Sequence, residues 1–404
     1  MVNVAVLGYG TVGSGVVEIL DKNKAILTNN AREEINLKYV LDLRDFPGSP
    51  IENKLVHDVE IILNDEEVGI VVEVMGGVNP AYDFVKAALL KGKSVCTSNK
   101  ALVAKHGAEL LDIARQKNVN FLFEASVAGG IPILRPLENC VVADDILEIS
   151  GILNGTTNYM LTKMEKEGAS YDAVLKEAQN LGYAERNPEA DVEGYDAGRK
   201  IAILTSIATR KQVDFEDIHI EGITKITSED FAYASKMGVT IKLVAKEVKN
   251  EAGICVMVTP RMLSADRPLA AINDVVNAVC VKGNMLGDVM FSGPGAGSLP
   301  TASAVVSDIV ELVKHRGVNL KNGWSGEKFE LLPIDSVVNS FFVRMEGNAV
   351  DMKEKLEKEF GKLTIVEGVI AGEFGFITEQ LKEADFAIAL KKFSGVKGSI
   401  RIEL

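Results

Sequence analysis

VNVAVLGYGTVGSGVVEILDKN, residues 2–23, passes from one structural pattern to another within a few residues. Its first six residues are mostly β-branched and apolar, which predicts a buried strand. Gly8-Tyr-Gly10-Thr-Val-Gly13 follows at once, and SGVVEILDKN then spaces its apolar residues as a helix does. Between a strand and a helix the three glycines have separate physical tasks. The first permits the tight turn, the second lets backbone approach a pyrophosphate, and the third lets helix and strand pack closely. The helix N-terminus adds the positive end of a dipole for the phosphates. Gly8, Gly10, Thr11, Val12 and Gly13 are therefore candidate dinucleotide contacts, set against the plainer alternative that the glycines serve packing alone.

The pattern recurs downstream. INLKYVLDL predicts a second strand ending near Leu43, where a ribose is normally recognised. Asp42 could hold a ribose 2′-hydroxyl, which would mean NAD, while Arg44 could pair with a 2′-phosphate, which would mean NADP. Arg44 sits just past the strand end and tilts the reading toward NADP. GIVVEVMGG, AYDFVKAALLKG, KSVCTSNKAL and NVNFLFEASVAGGIPIL repeat the alternation of strand, turn and helix. Such alternation predicts a doubly wound parallel sheet of α/β class, whose ligands sit at the carboxyl ends of the strands. That gathers Gly76, Gly77, Thr97, Ser98, Asn99, Lys100 and Glu124 around one crevice. A cation at a helix start opposes the dipole, which favours a ligand-facing Lys100 over an ordinary surface lysine.

With 404 residues the chain implies two or three domains. Hydrophobic residues at 47% and charged residues at 25% describe a globular protein. A net charge of −13, with no basic run, speaks against a nucleic-acid partner. No apolar run approaches the ~20 residues that span a bilayer, and MVNVAVLGYG carries no charged leader or cleavage site, so the expected location is the cytoplasm. The four cysteines, Cys96, Cys140, Cys255 and Cys280, have neither CxxC nor disulfide-framework spacing, and the four histidines are scattered. Nothing here points to zinc.

LGYAERNPEADVEGYDAGRK, residues 181–200, follows a helix that Ser170 caps and Gly182 ends. It holds Glu185, Glu189, Asp191, Glu193 and Asp196, then Arg199 and Lys200 directly before the apolar run IAILTSIA. A helix is expected from about Tyr195 to Thr209, on which Asp196 and Lys200 share a face. An exposed pair of this kind is worth only ~0.3–0.5 kcal/mol. The apolar run argues instead for a buried lysine near the positive helix end, where it could exchange protons near neutral pH. Glu185, Asp191 and Asp196 beside it would suit a substrate that carries an ammonium group. Upstream, ILEISGIL predicts a strand that runs into Asn154-Gly155-Thr156-Thr157-Asn158-Tyr159, a polar turn of which a helix cap explains part.

Taken together, GYGTVG, EVMGG with TSNKAL, EASVAGGIPIL, NGTTNYML, GYAExNPxxDxxGxDxxxK and GPGAGSLPTASAVVSDI resemble homoserine dehydrogenase. They follow the family's order over roughly the first 320 residues. The resemblance implies reversible NAD(P)-dependent interconversion of L-homoserine and L-aspartate 4-semialdehyde, in threonine, methionine and isoleucine synthesis. It implies that Lys200 is the proton donor and acceptor, that Glu185 and Asp196 bind homoserine, that Asp191 lies beside the reacting end and that Lys100 is a second lysine near the chemistry. Gly182, Gly295 and Gly297 would approach the cofactor. It further implies a monovalent cation, typically sodium, held by Glu124, Val127, Gly129 and Ile131, largely through backbone carbonyls, and oxygen ligands suit a hard cation. The implied assembly is a homodimer or homotetramer formed through the sheet of an α+β domain.

The expected organisation is a Rossmann-type nucleotide domain at 1–136, completed by a returning helix at 299–316 after Pro300. A substrate and dimerisation domain follows at 137–298, with strands at GVTIKLVAKEV, AGICVMVTP, NAVCVKGN and DVMFSG. A linker spans 317–337. The tail at 338–404 reads strand, helix, strand, strand, helix, strand, the order of an ACT domain. Its first turn, Glu346-Gly347-Asn348, lacks the D-x-P-G-like sequence through which such modules bind an amino acid. Two alternatives stand beside this reading. An aspartate-semialdehyde dehydrogenase would need a cysteine nucleophile, for which Cys140 has no histidine nearby in sequence. A non-catalytic cofactor-binding regulator would have no need of Lys200 and its acids.

Overall fold

The computed structural model describes residues 1–404, and the chain divides into two compact units. The first holds Met1–Asp145, Ala202–Phe215 and Phe291–Phe329; the second holds Ile146–Ile201, Glu216–Met290 and Glu330–Leu404.

The first unit is built on six parallel strands in the order Leu55–Val56, Ile35–Leu41, Val2–Leu7, Val68–Glu73, Ser94–Thr97, Phe121–Leu122. Val4, Val6, Ile70 and Val72 are buried, as central parallel strands covered on both faces require. Register aligns the carboxyl ends: Leu7 pairs with both Leu41 and Glu73, and Glu73 pairs with Thr97. The second strand stops at Leu41 rather than near Leu43. Asp42 ends it by turning its carboxylate onto the Arg44 amide at 3.0 Å, the local competition that makes aspartate a turn residue. The returning helix is Ser298–Lys314. It lies so close to the first helix that a Cβ at Gly15 would stand 2.8 Å from Ser298 Oγ. Residues 317–329, expected in a linker, belong to this unit. The single tryptophan explains why, because its large apolar surface must be buried. Trp324 lies against Gly107 and donates from Nε1 to Gln212 at 2.8 Å.

The strands expected after the nucleotide domain are Val239–Asn250, Gly253–Ser264, Val276–Gly283 and Gly287–Pro294, the first three wholly within the second unit. Strand Ile146–Ile152 lies between Val276–Gly283 and Val239–Asn250, antiparallel to both. It ends at Leu153-Asn154, and the Asn154 side chain caps helix Gly155–Glu167 by accepting the Thr157 amide.

The tail forms Val338–Glu346, Ala349–Phe360, Leu363–Val366, Glu373–Thr378, Glu383–Leu390 and Val396–Glu403, in the strand and helix order expected, with a two-residue strand Leu381–Lys382 added. Its core is aromatic, with Phe341 stacked on Phe386 at 3.6 Å and Phe360, Phe374 and Phe376 buried around them. It does not stand apart from the larger sheet. Its last strand pairs in parallel with Gly253–Ser264, Arg261 opposite Arg401 and Met262 opposite Ile402. Buried arginines cross the same junction: Arg261 donates to Glu403 at 2.8 Å and Arg401 to Glu221 at 2.8 Å, while within the tail Arg401 also donates to Glu383 at 2.6 Å. Removing one partner of a buried pair costs roughly 3–5 kcal/mol, because the other charge stays behind. A chain truncated before Ser336 should therefore lose several degrees of Tm and aggregate through the uncovered strand Gly253–Ser264. Thermal melts and light scattering check this; a truncated chain as stable and monodisperse as the full one would contradict it.

Candidate active site

The glycine turn of the first unit separates its tasks as expected. Gly8 has φ +100, a conformation that costs glycine nothing. A Cβ at Gly13 would fall 2.0 Å from the Gly8 carbonyl oxygen, whereas a Cβ at Gly10 would meet nothing within 4 Å. Gly13 thus serves helix–strand contact, and Gly10 keeps open the space in front of helix Thr11–Lys22. That helix has no acidic residue in its first turn and no side-chain cap, so its N–H groups at Thr11, Val12 and Gly13 face a position that favours an anion.

Asp42 and Arg44, set against each other in sequence, are partners here. Arg44 donates from Nε and Nη2 to the two Asp42 oxygens at 3.0 Å each, and from Nη2 to the Tyr9 carbonyl. Tyr9 N–H donates to the same carboxylate at 2.9 Å, and the guanidinium lies over Phe46. The Arg44 hydrogen bonds hold the Asp42 carboxyl well below the usual carboxylate range.

Along the crest, Glu73 is fully buried and accepts from the Met75 amide and the Thr97 hydroxyl. Burial pushes its pKa up, against those bonds. Thr97, a candidate cofactor contact, has its hydroxyl committed to Glu73 and to the Asn99 amide. Ser98 is half-buried beside it. Lys100 opens helix Lys100–Gln116, capped by Asn99, whose amide also holds the Gly77 carbonyl. Glu73 was missed in the sequence; a lone carboxylate inside the apolar run GIVVEV was its signal.

The loop EASVAGGI folds over the second glycine motif. Gly129 has φ +57, and a Cβ there would lie 2.3 Å from the Gly295 carbonyl oxygen; Gly297 opens helix Ser298–Lys314. The Glu124 carboxylate is consumed by the amides of Ile133, Leu134 and Arg135 at 2.6–2.9 Å and by Arg135 Nε at 3.1 Å. That leaves the carboxylate no oxygen for a cation, and the Glu124 carbonyl is the N-cap carbonyl of helix Ala125–Ala128. The backbone bonds of this loop end on the carbonyls of Phe123, Ala128 and Pro294, and none ends on those of Val127, Gly129 or Ile131.

In the second unit the acids and the lysine meet around the end of strand Ile146–Ile152. Lys200, in the second turn of helix Tyr195–Thr209, is buried. Its Nζ donates to the Leu153 carbonyl and to Asp196 Oδ2, each at 2.7 Å. Asp196 is buried as well, so the pair is interior and not the exposed one that helix spacing alone allows. Asn154, which sequence reasoning counted only as part of a polar turn, donates from Nδ2 to Asp191 Oδ1 at 2.7 Å and to Asp196 Oδ2 at 2.9 Å. Asp191 sits on a short helix, Glu189–Val192, within what was expected to be loop. Glu185 is not drawn into this cluster: it is exposed, and its contact is a carbonyl accepting from Gln179. Gly182 has φ +76 just beyond helix Tyr171–Asn180, the C′ position expected of it. Cys140 is an exposed thiol at the end of helix Leu134–Asn139.

A parallel sheet in this strand order with an open glycine turn is the equipment of an NAD(P)-dependent oxidoreductase. Comparison with known proteins narrows this. Residues 132–310 match the family model for homoserine dehydrogenase, and residues 8–124 match that of the homoserine dehydrogenase NAD binding domain. The chain is 38% identical to the homoserine dehydrogenase of Bacillus subtilis over 100% of its own length and 98% of that protein's. The solved homoserine dehydrogenase of Thiobacillus denitrificans superposes with a TM-score of 0.89 at 35% identity, over 100% of this chain and 98% of that one. A hyperthermophilic archaeal homoserine dehydrogenase in complex with NADPH has a TM-score of 0.64 at 29% identity, over 77% of this chain and 97% of its own. The chain belongs to the homoserine dehydrogenase family. It interconverts L-homoserine and L-aspartate 4-semialdehyde with a nicotinamide cofactor, which removes the cysteine-dependent and non-catalytic alternatives. No helix is long and apolar enough to cross a membrane.

The two glycines should separate in experiment. Gly13→Ala should lower stability by roughly 1–3 kcal/mol or more, as overpacking against rigid backbone does. Gly10→Ala should leave the melting temperature of the unliganded protein unchanged and weaken cofactor binding. Melts and cofactor titration check this; equal melting temperatures for the two variants would contradict it.

Proposed function

We propose that Lys200 exchanges the hydroxyl proton of homoserine while Asp191 and Asp196 hold its ammonium group. The observation that supports this most is the setting of the lysine: an interior cation with Leu153 O and Asp196 Oδ2 each at 2.7 Å. Two acceptors fix Nζ in place, and a positioned acid or base works only within hydrogen-bond reach of the proton it moves. The nicotinamide, when bound, supplies the hydride acceptor. In oxidation the lysine amine takes the hydroxyl proton as the C–H electron pair leaves with the hydride and the C–O bond becomes a carbonyl. In reduction the ammonium returns that proton to the aldehyde oxygen. Glu185, on the exposed rim of the same loop, is the third acid of the set, and Lys100 is the second lysine near the chemistry. Gly182, Gly295 and Gly297 give the cofactor room.

For the cofactor we propose NADP. An unpaired Asp42 would repel a 2′-phosphate, but Arg44 neutralises this one and presents its guanidinium at the strand end, stacked on Phe46. Arg44 would turn from Asp42 toward the phosphate, and the NADPH of the archaeal relative fits this choice. For the loop at 124–131 we propose a sodium ion held by the carbonyls of Glu124, Val127, Gly129 and Ile131. The fit rests on the carbonyls of Val127, Gly129 and Ile131, on which none of the loop's turn bonds ends, and on oxygen ligands suiting a hard cation. The ion would lock the loop against the second glycine motif.

We read the tail as an ACT-like module kept for assembly, in a homodimer or homotetramer, rather than as a threonine sensor. Its first turn is spent on structure: Asn348 caps the next helix by accepting the Val350 amide at 2.8 Å, and Gly347 N–H donates to Gly372.

Lys200→Ala should lower turnover by about 10²–10⁴-fold, the range for a positioned acid or base, with cofactor binding intact. Steady-state rates and cofactor titration check this, and a loss below tenfold would remove Lys200 from the role. Arg44→Ala should raise KM for NADP and leave that for NAD nearly unchanged. Equal effects on both cofactors would return the ribose contact to Asp42.

A further inference from the structure

We infer that Asn154 is a positioning residue for this reaction, because its amide donates to both Asp191 and Asp196 and so spaces the two carboxylates. The inference rests on the reading that these two carboxylates hold the substrate.

Every hydrogen-bonding position of this side chain is used. An asparagine offers two donors and two acceptor lone pairs. The donors go to Asp191 at 2.7 Å and Asp196 at 2.9 Å; the oxygen accepts from the Thr157 amide at 2.8 Å and the Thr157 hydroxyl at 3.1 Å. Only this orientation of the amide works, since the flipped one would set a carbonyl oxygen against two carboxylates. The side chain is buried. Its neighbour Leu153 accepts from Lys200, so two successive residues at one strand end address both acids and the lysine.

Carboxylates from two different helices converge on one amide nitrogen. The titratable groups around it include Asp191 on Glu189–Val192, with Asp196 and, through it, Lys200 on Tyr195–Thr209. Like charges brought together raise one another's pKa, and hydrogen bonds donated to the charged form oppose that rise. Take the amide away and the two carboxylates lose the donor that opposes that rise, so one of them holds its proton to a higher pH. A protonated acid holds an ammonium poorly. The same side chain is also a helix cap, and a cap alone would explain its burial.

Two substitutions separate these roles. Asn154→Asp keeps the capping oxygen, since aspartate and asparagine cap about equally well, but it removes both donors and adds a third carboxylate. Asn154→Ser also keeps a capping oxygen, adds no charge and is too short to bridge. The measurement is the pH profile of kcat/KM for reduction of L-aspartate 4-semialdehyde, a direction in which Lys200 acts as its ammonium and sets the basic limb, so that the acid limb is left to the carboxylates of the free enzyme. One lost hydrogen bond per carboxylate should move that limb up by about one pH unit, or about tenfold in rate on the limb. Asn154→Asp should move it further than Asn154→Ser, with the KM for cofactor near that of the parent. If Asn154→Asp does not fold, Asn154→Ser carries the test alone. A limb that stays in place in the folded variants overturns the inference, whatever their activity. Failure of the Lys200 assignment would appear elsewhere, as retained turnover in Lys200→Ala, and would leave the limb shift to be read on its own.

Discussion

A cation taken out of water has to find oxygen, and Lys200 finds a backbone carbonyl and a carboxylate, each at 2.7 Å. The carboxylate, Asp196, is itself buried and needs donors; the Asn154 amide and the lysine provide them. That amide reaches Asp191 as well. Strand Ile146–Ile152 cannot shift by one residue without exchanging Leu153 for a neighbour and unpairing the lysine. Its position is fixed in turn by antiparallel pairing on both edges, to Val239–Asn250 and Val276–Gly283. The cluster is therefore as rigid as the sheet that ends beneath it, which is where precise sites are best built.

The same demand organises the rest of the molecule. In the first unit the buried Glu73 gathers Met75 and Thr97, and Glu124 gathers three successive amides and Arg135. In the second unit Arg261, Arg401 and Arg344 lie buried along the tail's strands and their neighbour, each with carboxylate partners. Buried ion pairs add little net stability over apolar packing, but they punish misplacement heavily. Their effect is to bind the tail to the larger sheet in one register.

Much of this was legible in the sequence, and the reasons differ by residue. The parallel sheet showed itself because apolar runs bounded by glycine turns are a local signal, and the Gly8–Gly13 turn could be assigned residue by residue. The tail's order of strands and helices showed itself for the same reason. Lys200 and Asp196 were legible because helix spacing puts them on one face and IAILTSIA buries that face. Asn154 was not, since capping already accounted for an asparagine before GTTNYML, and the bridge to Asp191 and Asp196 spans 37 and 42 residues. The Asp42–Arg44 pairing was hidden by treating as rivals two residues that satisfy each other. Residues 317–329 read as a linker for want of periodicity, while Trp324 anchors them by packing on Gly107, a contact no local pattern encodes.

The most direct test of the central claim is a crystal structure with homoserine and the oxidised cofactor both bound, read at the Lys200 ammonium. The account predicts Nζ within roughly 2.6–3.2 Å of the substrate hydroxyl oxygen, the reach a proton-transferring group requires. It also predicts the substrate ammonium against Asp191 and Asp196, with Asn154 still bridging them. A hydroxyl oxygen bound by a different side chain, with Lys200 out of reach, would contradict it.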